Sequence, residues 1–173
     1  MSEKKDKIVE SALQLFATEG FHATSTSRVA RKAGVSEGLI FRHFGNKAGL
    51  LDAILKEGEA KFKNLVADIV METDPREVIR KTVTMTSRIN KDEFDFWKLQ
   101  YKLKWELEIA GDEKLEPLEM ALANAFKKLG YPKPDHEARL LLTIIEGVSS
   151  FLLRGSMKDV SLVSEYLIGK YQL

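Results

Sequence analysis

At 173 residues and 44% hydrophobic side chains, the chain is long enough for one domain or two small ones and buries roughly 70% of its unfolded surface on folding. It has no cysteine, which excludes a disulfide framework, a thiolate zinc site and a cysteine nucleophile, and suits a reducing compartment. The net charge of +1 conceals an asymmetry: residues 1–50 hold eight Lys and Arg against five Asp and Glu, a net of +3 that leaves −2 for the rest. Such a basic head on a slightly acidic body fits a module that meets phosphates with one end, and equally an unevenly charged solvated surface. The opening MSEKKDKIVES lacks the apolar region of a signal peptide, and no apolar run approaches the roughly 20 residues needed to span a bilayer. The expected location is therefore cytoplasmic, with no membrane partner.

From Lys5 to Thr18, the residues Ile8, Val9, Ala12, Leu13, Phe16 and Ala17 recur on one helical face, and Glu19-Gly20-Phe21 stops the pattern. Thr24, Ser25, Thr26 and Ser27 are all able to cap a second helix. Its free amides make Thr26 and Ser27 phosphate contacts as readily as plain caps. The run from Ser25 to Leu51, STSRVARKAGVSEGLIFRHFGNKAGLL, then divides into two short helical patterns hinged at Ala33-Gly34-Val35. Ser36 opens the second of these and Asn46 a third. Gly34 suits the left-handed conformation that ends a helix, and Ser36 suits the N-cap that begins the next, which is the grammar of a helix-turn-helix. Val29, Ala30, Ala33, Val35, Ile40 and Phe44 supply an apolar seam, leaving Ser36, Glu37, Leu39, Arg42 and His43 for an outward face.

A long helix is expected from Asn46-Lys47 to about Met71, weakened by Gly49 and Gly58, each costing up to about 1 kcal/mol relative to alanine. Lys47 in its first turn is poorly placed against the helix dipole unless an anion sits there. Asp74-Pro75 caps and starts a further helix running to about Ile89. Beyond Asn90-Lys91-Asp92, the residues Phe94, Trp97, Tyr101 and Trp105 advance by three, four and four into one aromatic stripe, with Phe96, Leu99, Leu103 and Leu107 beside it. Such a stripe is core or pocket wall. After a break at Gly111-Asp112, a helix reaches about Leu129, Gly130-Tyr131-Pro132-Lys133-Pro134 stops it, and helices over 137–154 and 160–171 complete the chain. Glu146, inside the apolar run 140–148, lies at an edge or is paired.

No catalytic constellation stands out. His22, His43 and His136 are far apart in the chain, His136-Glu137-Ala138-Arg139-Leu140 lacks the second histidine of a zinc-protease helix, and no glycine-rich phosphate loop is present. Neither an enzyme nor a metal or cofactor is expected.

Thr26, the pair Val29-Ala30, Ala33-Gly34-Val35-Ser36, Phe41-x-His43-Phe44, Lys47 and Leu50-Leu51 resemble the DNA-binding signature of the TetR family of bacterial transcriptional regulators. The order and spacing agree along about 27 residues, and the likeness extends back through the first helix to about residue 7. The family commonly has tyrosine where this chain has Phe41, which has no hydroxyl to offer a phosphate, so the likeness there is steric only. The resemblance implies an all-α protein with a DNA-binding head at residues 1–48 and a helical ligand-binding and dimerisation body at 49–173. It implies a homodimer on a palindromic operator in double-stranded DNA, acting as a repressor and released by a small apolar or amphipathic effector.

The residues expected to face DNA are Thr26, Ser27, Arg28, Ser36, Glu37, Leu39, Phe41, Arg42, His43 and Lys47. Arg42 suits a two-pronged contact with guanine or a hold on phosphate, Glu37 a cytosine amino group, Leu39 a thymine methyl, and Ser36 and Lys47 phosphates. His43 suits the helix end or a backbone or phosphate contact. The residues expected to line an effector pocket are Phe94, Trp97, Tyr101, Trp105, Met120 and Phe126. The alternative reading is a dimeric protein-binding adaptor that keeps the fold without sequence-specific DNA binding.

Overall fold

The structure, a computed structural model, describes residues 3–106 and 115–173, with the backbone alone at residues 100 and 103–106. The expected break at Gly111-Asp112, residue Leu107 and the side chains of Leu103 and Trp105 lie outside what is described. Among the described residues there are nine α-helices and no strand: α1 (Glu3–Glu19), α2 (Thr26–Ala33), α3 (Glu37–Phe44), α4 (Lys47–Val70), α5 (Pro75–Val83), α6 (Phe94–Glu106), α7 (Glu116–Lys128), α8 (Pro134–Leu153) and α9 (Ser161–Tyr171). They form two compact units that do not follow chain order, one of residues 3–62 with 92–106 and the other of 63–91 with 115–173.

In the first unit α1 packs on α2 and on α6, and α2 on α3. Ile8, Ala12, Phe16, Val29, Ala30, Ile40, Leu50, Ile54 and Leu99 close a continuous apolar core among these helices and the N-terminal part of α4. The two glycines that weaken α4 as an isolated helix have a packing reason. A Cβ at Gly49 would collide with the carbonyl of Phe44, where α3 ends, and a Cβ at Gly58 would collide with the ring of Phe96 on α6. Each missing side chain lets another element approach the helix axis more closely than alanine would allow. Asn46 caps α4, its Oδ1 accepting from the amide of Gly49 at 2.8 Å.

In the second unit α7 packs along α8, α5 on α7, and α9 on α5. Val78, Ile79, Leu118, Leu122, Leu141, Ile145 and Leu167 are buried there. Phe126, Tyr131 and Tyr171 form a ring cluster with centroids 5.0–6.2 Å apart. Asp74 caps α5, accepting from the amides of Arg76 and Glu77, with Pro75 in its first turn. The helix expected to continue to Ile89 ends at Val83 and tightens into a 3₁₀ turn, Met85–Arg88. The hydroxyls explain this: Thr84 donates to the carbonyls of Arg80 and Lys81, and Ser87 donates to that of Thr84 at 2.6 Å. These local bonds compete with the i→i−4 ladder for the same carbonyls. Glu146 is exposed, which places it on the edge of its apolar run.

Candidate nucleic-acid interface

The helix-turn-helix is assembled by caps and one glycine. Ser25, in extended conformation, accepts the amide of Arg28 at 3.3 Å and starts α2. Gly34, at φ 67° and ψ 34°, ends it in the left-handed conformation, and the amide of Val35 returns to the carbonyl of Ala30 at 3.0 Å. Thr24, another candidate cap, is instead buried and donates to the carbonyl of Gly20 at 2.9 Å. Ser36 occupies the N-cap of α3, but its hydroxyl makes no capping bond.

Ile40 anchors α3 in the core at 0% exposure, with Leu39 and Phe44 half-buried beside it. The opposite face carries Ser36, Phe41, Arg42 and His43, all exposed. Phe41 is 46% exposed, a large ring standing on the surface where the resembling family commonly has a phenol. Arg42 makes no ion pair among the described residues, so its five donors face solvent.

Five of the expected contact residues are engaged within the protein. Thr26 donates to Glu37 Oε1 at 2.5 Å, so the two residues expected to meet DNA hold one another. Ser27 Oγ lies 3.1 Å from Ser25 Oγ, and Arg28 pairs with Glu19 at 2.7 Å. The Lys47 ammonium donates to the carbonyls of Phe21 at 2.9 Å, Thr24 at 3.0 Å and His22 at 3.5 Å, and lies 4.4 Å from the centroid of the Phe21 ring. All three of its protons are thereby directed into the turn between α1 and α2. That turn and α4 are joined across more than twenty residues of sequence, a contact no local pattern announces.

Of the six residues expected around an effector, the side chain of Trp105 lies outside what is described, and the other five are divided between the two units. Phe94, Trp97 and Tyr101 lie half-buried on α6 in the first unit, where Trp97 stacks edge-on with Phe62 and Phe96 at 6.2 and 4.9 Å. The Trp97 indole N–H is buried and has no acceptor among the described residues. Met120 stands on the surface of α7 at 66% exposure, and Phe126 is fully buried in the ring cluster of the second unit. A cavity of about 300 Å³ does open in the first unit, lined by Asp6, Val9, Glu10, Leu13, Ile54, Glu57, Lys61 and Phe96, none of them among the six. Sequence reasoning missed it because its walls come from three helices distant in the chain.

Among the described residues no cluster of His, Cys, Asp or Glu has the makings of a metal site, and no helix is long and apolar enough to cross a membrane.

Residues 8–54 match the bacterial regulatory proteins of the tetR family. The chain is 32% identical over 100 residues to YerO of Bacillus subtilis, an uncharacterised HTH-type transcriptional regulator, covering 56% of this chain and 34% of that protein. It is 30% identical over 117 residues to the HTH-type transcriptional repressor AcnR of Corynebacterium jeikeium, covering 62% and 59%. The matched segments thus span about a third and somewhat over half of the length of these relatives, which are regulators rather than enzymes. In fold, the chain is similar to a putative transcriptional regulator from Saccharomonospora viridis in complex with choline, with a TM-score of 0.76 at 22% identity over 96% of this chain and 94% of that one. The helix-turn-helix geometry and the matched segment agree: residues 8–54 of this chain are similar to the tetR family of bacterial regulatory proteins, and the chain has the fold of regulators of that kind.

Proposed function

We propose that this protein is a ligand-responsive repressor that binds a palindromic operator as a homodimer in the cytoplasm and leaves it when a small effector binds. The observation that carries the reading is the outward face of α3, where Arg42, Phe41, His43 and Ser36 are exposed on a helix fixed from behind by Ile40. Residues 1–48 act as the DNA-reading head and 49–173 as the ligand-binding and dimerising body. Dimerisation is supported by apolar side chains left in solvent on the last two helices: Leu140 at 48%, Phe151 at 46%, Leu162 at 72% and Tyr166 at 72% exposure. Burying such a surface against a second copy removes apolar area from water, worth about 25 cal/mol per Å². Two recognition helices about 34 to 36 Å apart, or a multiple of one turn, then meet successive half-sites on one face of the duplex.

Effector release requires that the ligand prefer the state that does not fit DNA. The aromatic character of α6, with Phe94, Trp97, Tyr101 and Trp105, together with Met120 and Phe126 of α7, supports an apolar or amphipathic effector. The fold neighbour from Saccharomonospora viridis is in complex with choline, which supports a small-molecule effector. Mass measurement of the protein alone and on a bound duplex tests the assembly: two chains in both cases are expected, and a stable monomer on DNA would overturn the dimeric reading. A screen of apolar and amphipathic compounds by tryptophan emission, followed by duplex release, tests the effector: a compound that binds yet leaves duplex affinity unchanged is not one.

A further inference from the structure

The cavity in the first unit has a composition that selects its occupant. On α1, Asp6, Val9, Glu10 and Leu13 fall at successive i, i+3, i+4 and i+7 positions, and on α4 so do Ile54, Glu57 and Lys61 at i, i+3 and i+7, so each helix offers one continuous face. Val9, Leu13 and Ile54 make the apolar floor. Phe96 makes the end wall, held there because Gly58 has no side chain to displace its ring. The mouth is acidic. Asp6, Glu10 and Glu57 are exposed there and have no ion-pair partner among the described residues, while the one cation, Lys61, is taken by Glu93 at 3.1 Å.

We propose that this cavity binds a small organic cation with a short apolar body, of the alkylammonium kind. At about 300 Å³ it is at the lower end of the range for small-molecule sites, which limits the occupant to a few carbons beyond its charged group. The floor removes the alkyl part from water, and three unpaired carboxylates at the mouth meet the charge. An anion of the same size meets the same floor but faces three like charges, so the rim rejects it. The site is enclosed by α1, α4 and α6, the helices that support α2 and α3 from behind. Its occupancy is nonetheless a property of this unit alone and does not depend on which DNA the head reads.

Calorimetric titration of the full chain at low salt with hexylammonium and with hexanoate, which share an alkyl chain and differ in charge, tests the proposal. Hexylammonium is expected to saturate one site per chain and hexanoate to show no binding. The double variant Glu10→Gln with Glu57→Gln is expected to weaken the cation at least tenfold. Leu13→Trp, which fills the floor, is expected to abolish binding. The double variant changes only exposed side chains, so it remains informative should the tryptophan disturb the core. Absence of saturable hexylammonium binding, equal binding of hexanoate, or cation affinity unchanged in the double variant would overturn the proposal. Duplex affinity, measured separately, would stand or fall on its own.

Discussion

Thr26 donates its hydroxyl to Glu37 Oε1 at 2.5 Å and so ties the first residue of α2 to the first residue of α3. A carboxylate in the first turn of a helix is favoured by the free amides there. The threonine fixes which way it points. The two helices of the DNA-reading element are therefore set by a half-buried polar contact at their N-termini as well as by Val29, Ala30 and Ile40 beneath.

If that contact fixes the pair, Thr26→Val and Glu37→Ala should be coupled. Each alone is expected to lower unfolding free energy by about 1 kcal/mol, and the double variant by less than the sum, with a coupling of at least about 0.5 kcal/mol in urea unfolding. Strict additivity would mean that the bond contributes nothing in solution.

Arg42 and Lys47 should separate in their effects. Arg42→Ala is expected to leave the melting temperature unchanged and to relax sequence choice at one position by about 1–3 kcal/mol, because its guanidinium is free and exposed. Lys47→Met keeps an apolar stem beside Phe21 but removes the donors to three carbonyls of the α1–α2 turn. It is expected to cost about 1–2 kcal/mol of stability and to weaken all duplexes alike. Parallel melting curves and binding to matched and mismatched duplexes check both. An unchanged melting temperature for Lys47→Met would return Lys47 to a simple phosphate contact.

Gly58→Ala should be costly despite the higher helix propensity of alanine. The added methyl meets the Phe96 ring, and forcing the two apart is expected to cost about 1–3 kcal/mol and to shift the emission of Trp97, which packs on Phe96. Gly38→Ala, on α3 with open space at its Cβ, is expected to stabilise by about 0.5–1 kcal/mol. Thermal unfolding of the two variants should therefore move in opposite directions.

The second unit carries acid- and base-sensitive contacts. The carboxylate of Glu72 accepts from the Lys81 ammonium and from the amides of Asp74 and Thr73, which lowers its pKa from 4.5 to about 2. Because the folded value lies below the unfolded one, the stabilisation is complete above pH 4.5 and is lost as pH falls toward 2. Tyr171 moves the other way: burial, and then the Glu137 carboxylate, push its phenol from 10 up to about 12, so its contribution is complete below pH 10 and is lost as pH rises through 12. Urea midpoints across these windows are expected to fall less steeply in Glu72→Gln at low pH and in Tyr171→Phe at high pH than in the unaltered protein.

The parts of this protein legible in its sequence are those encoded locally. Gly34, Ser25, Asn46 and the Asp74-Pro75 pair act within a few residues of themselves, and each ends or starts a helix as its chemistry dictates. The spacing of Ile8, Ala12 and Phe16 likewise reports the buried face of α1. What escaped is non-local or competitive. Nothing near Lys47 reveals that Phe21, His22 and Thr24 will take its protons, and nothing near Gly58 reveals that Phe96 will fill the space above it. Thr84 and Ser87 shortened α5 because hydroxyl bonding outweighed an otherwise helical pattern. The aromatic stripe of α6 is periodic in sequence, but periodicity leaves open what the stripe faces, and Trp97 turns out to pack on Phe62 and Phe96.

The central claim, that the outward face of α3 reads a palindrome, is tested most directly by selecting bound duplexes from a random pool at near-physiological salt and comparing the winner with scrambled DNA. The account predicts enrichment of an inverted repeat bound at least about a thousandfold more tightly than the scrambled duplex, with Arg42→Ala erasing preference at one position of each half-site. No enriched motif, with affinity that vanishes as salt rises, would contradict it and favour a protein-binding adaptor built on the same fold.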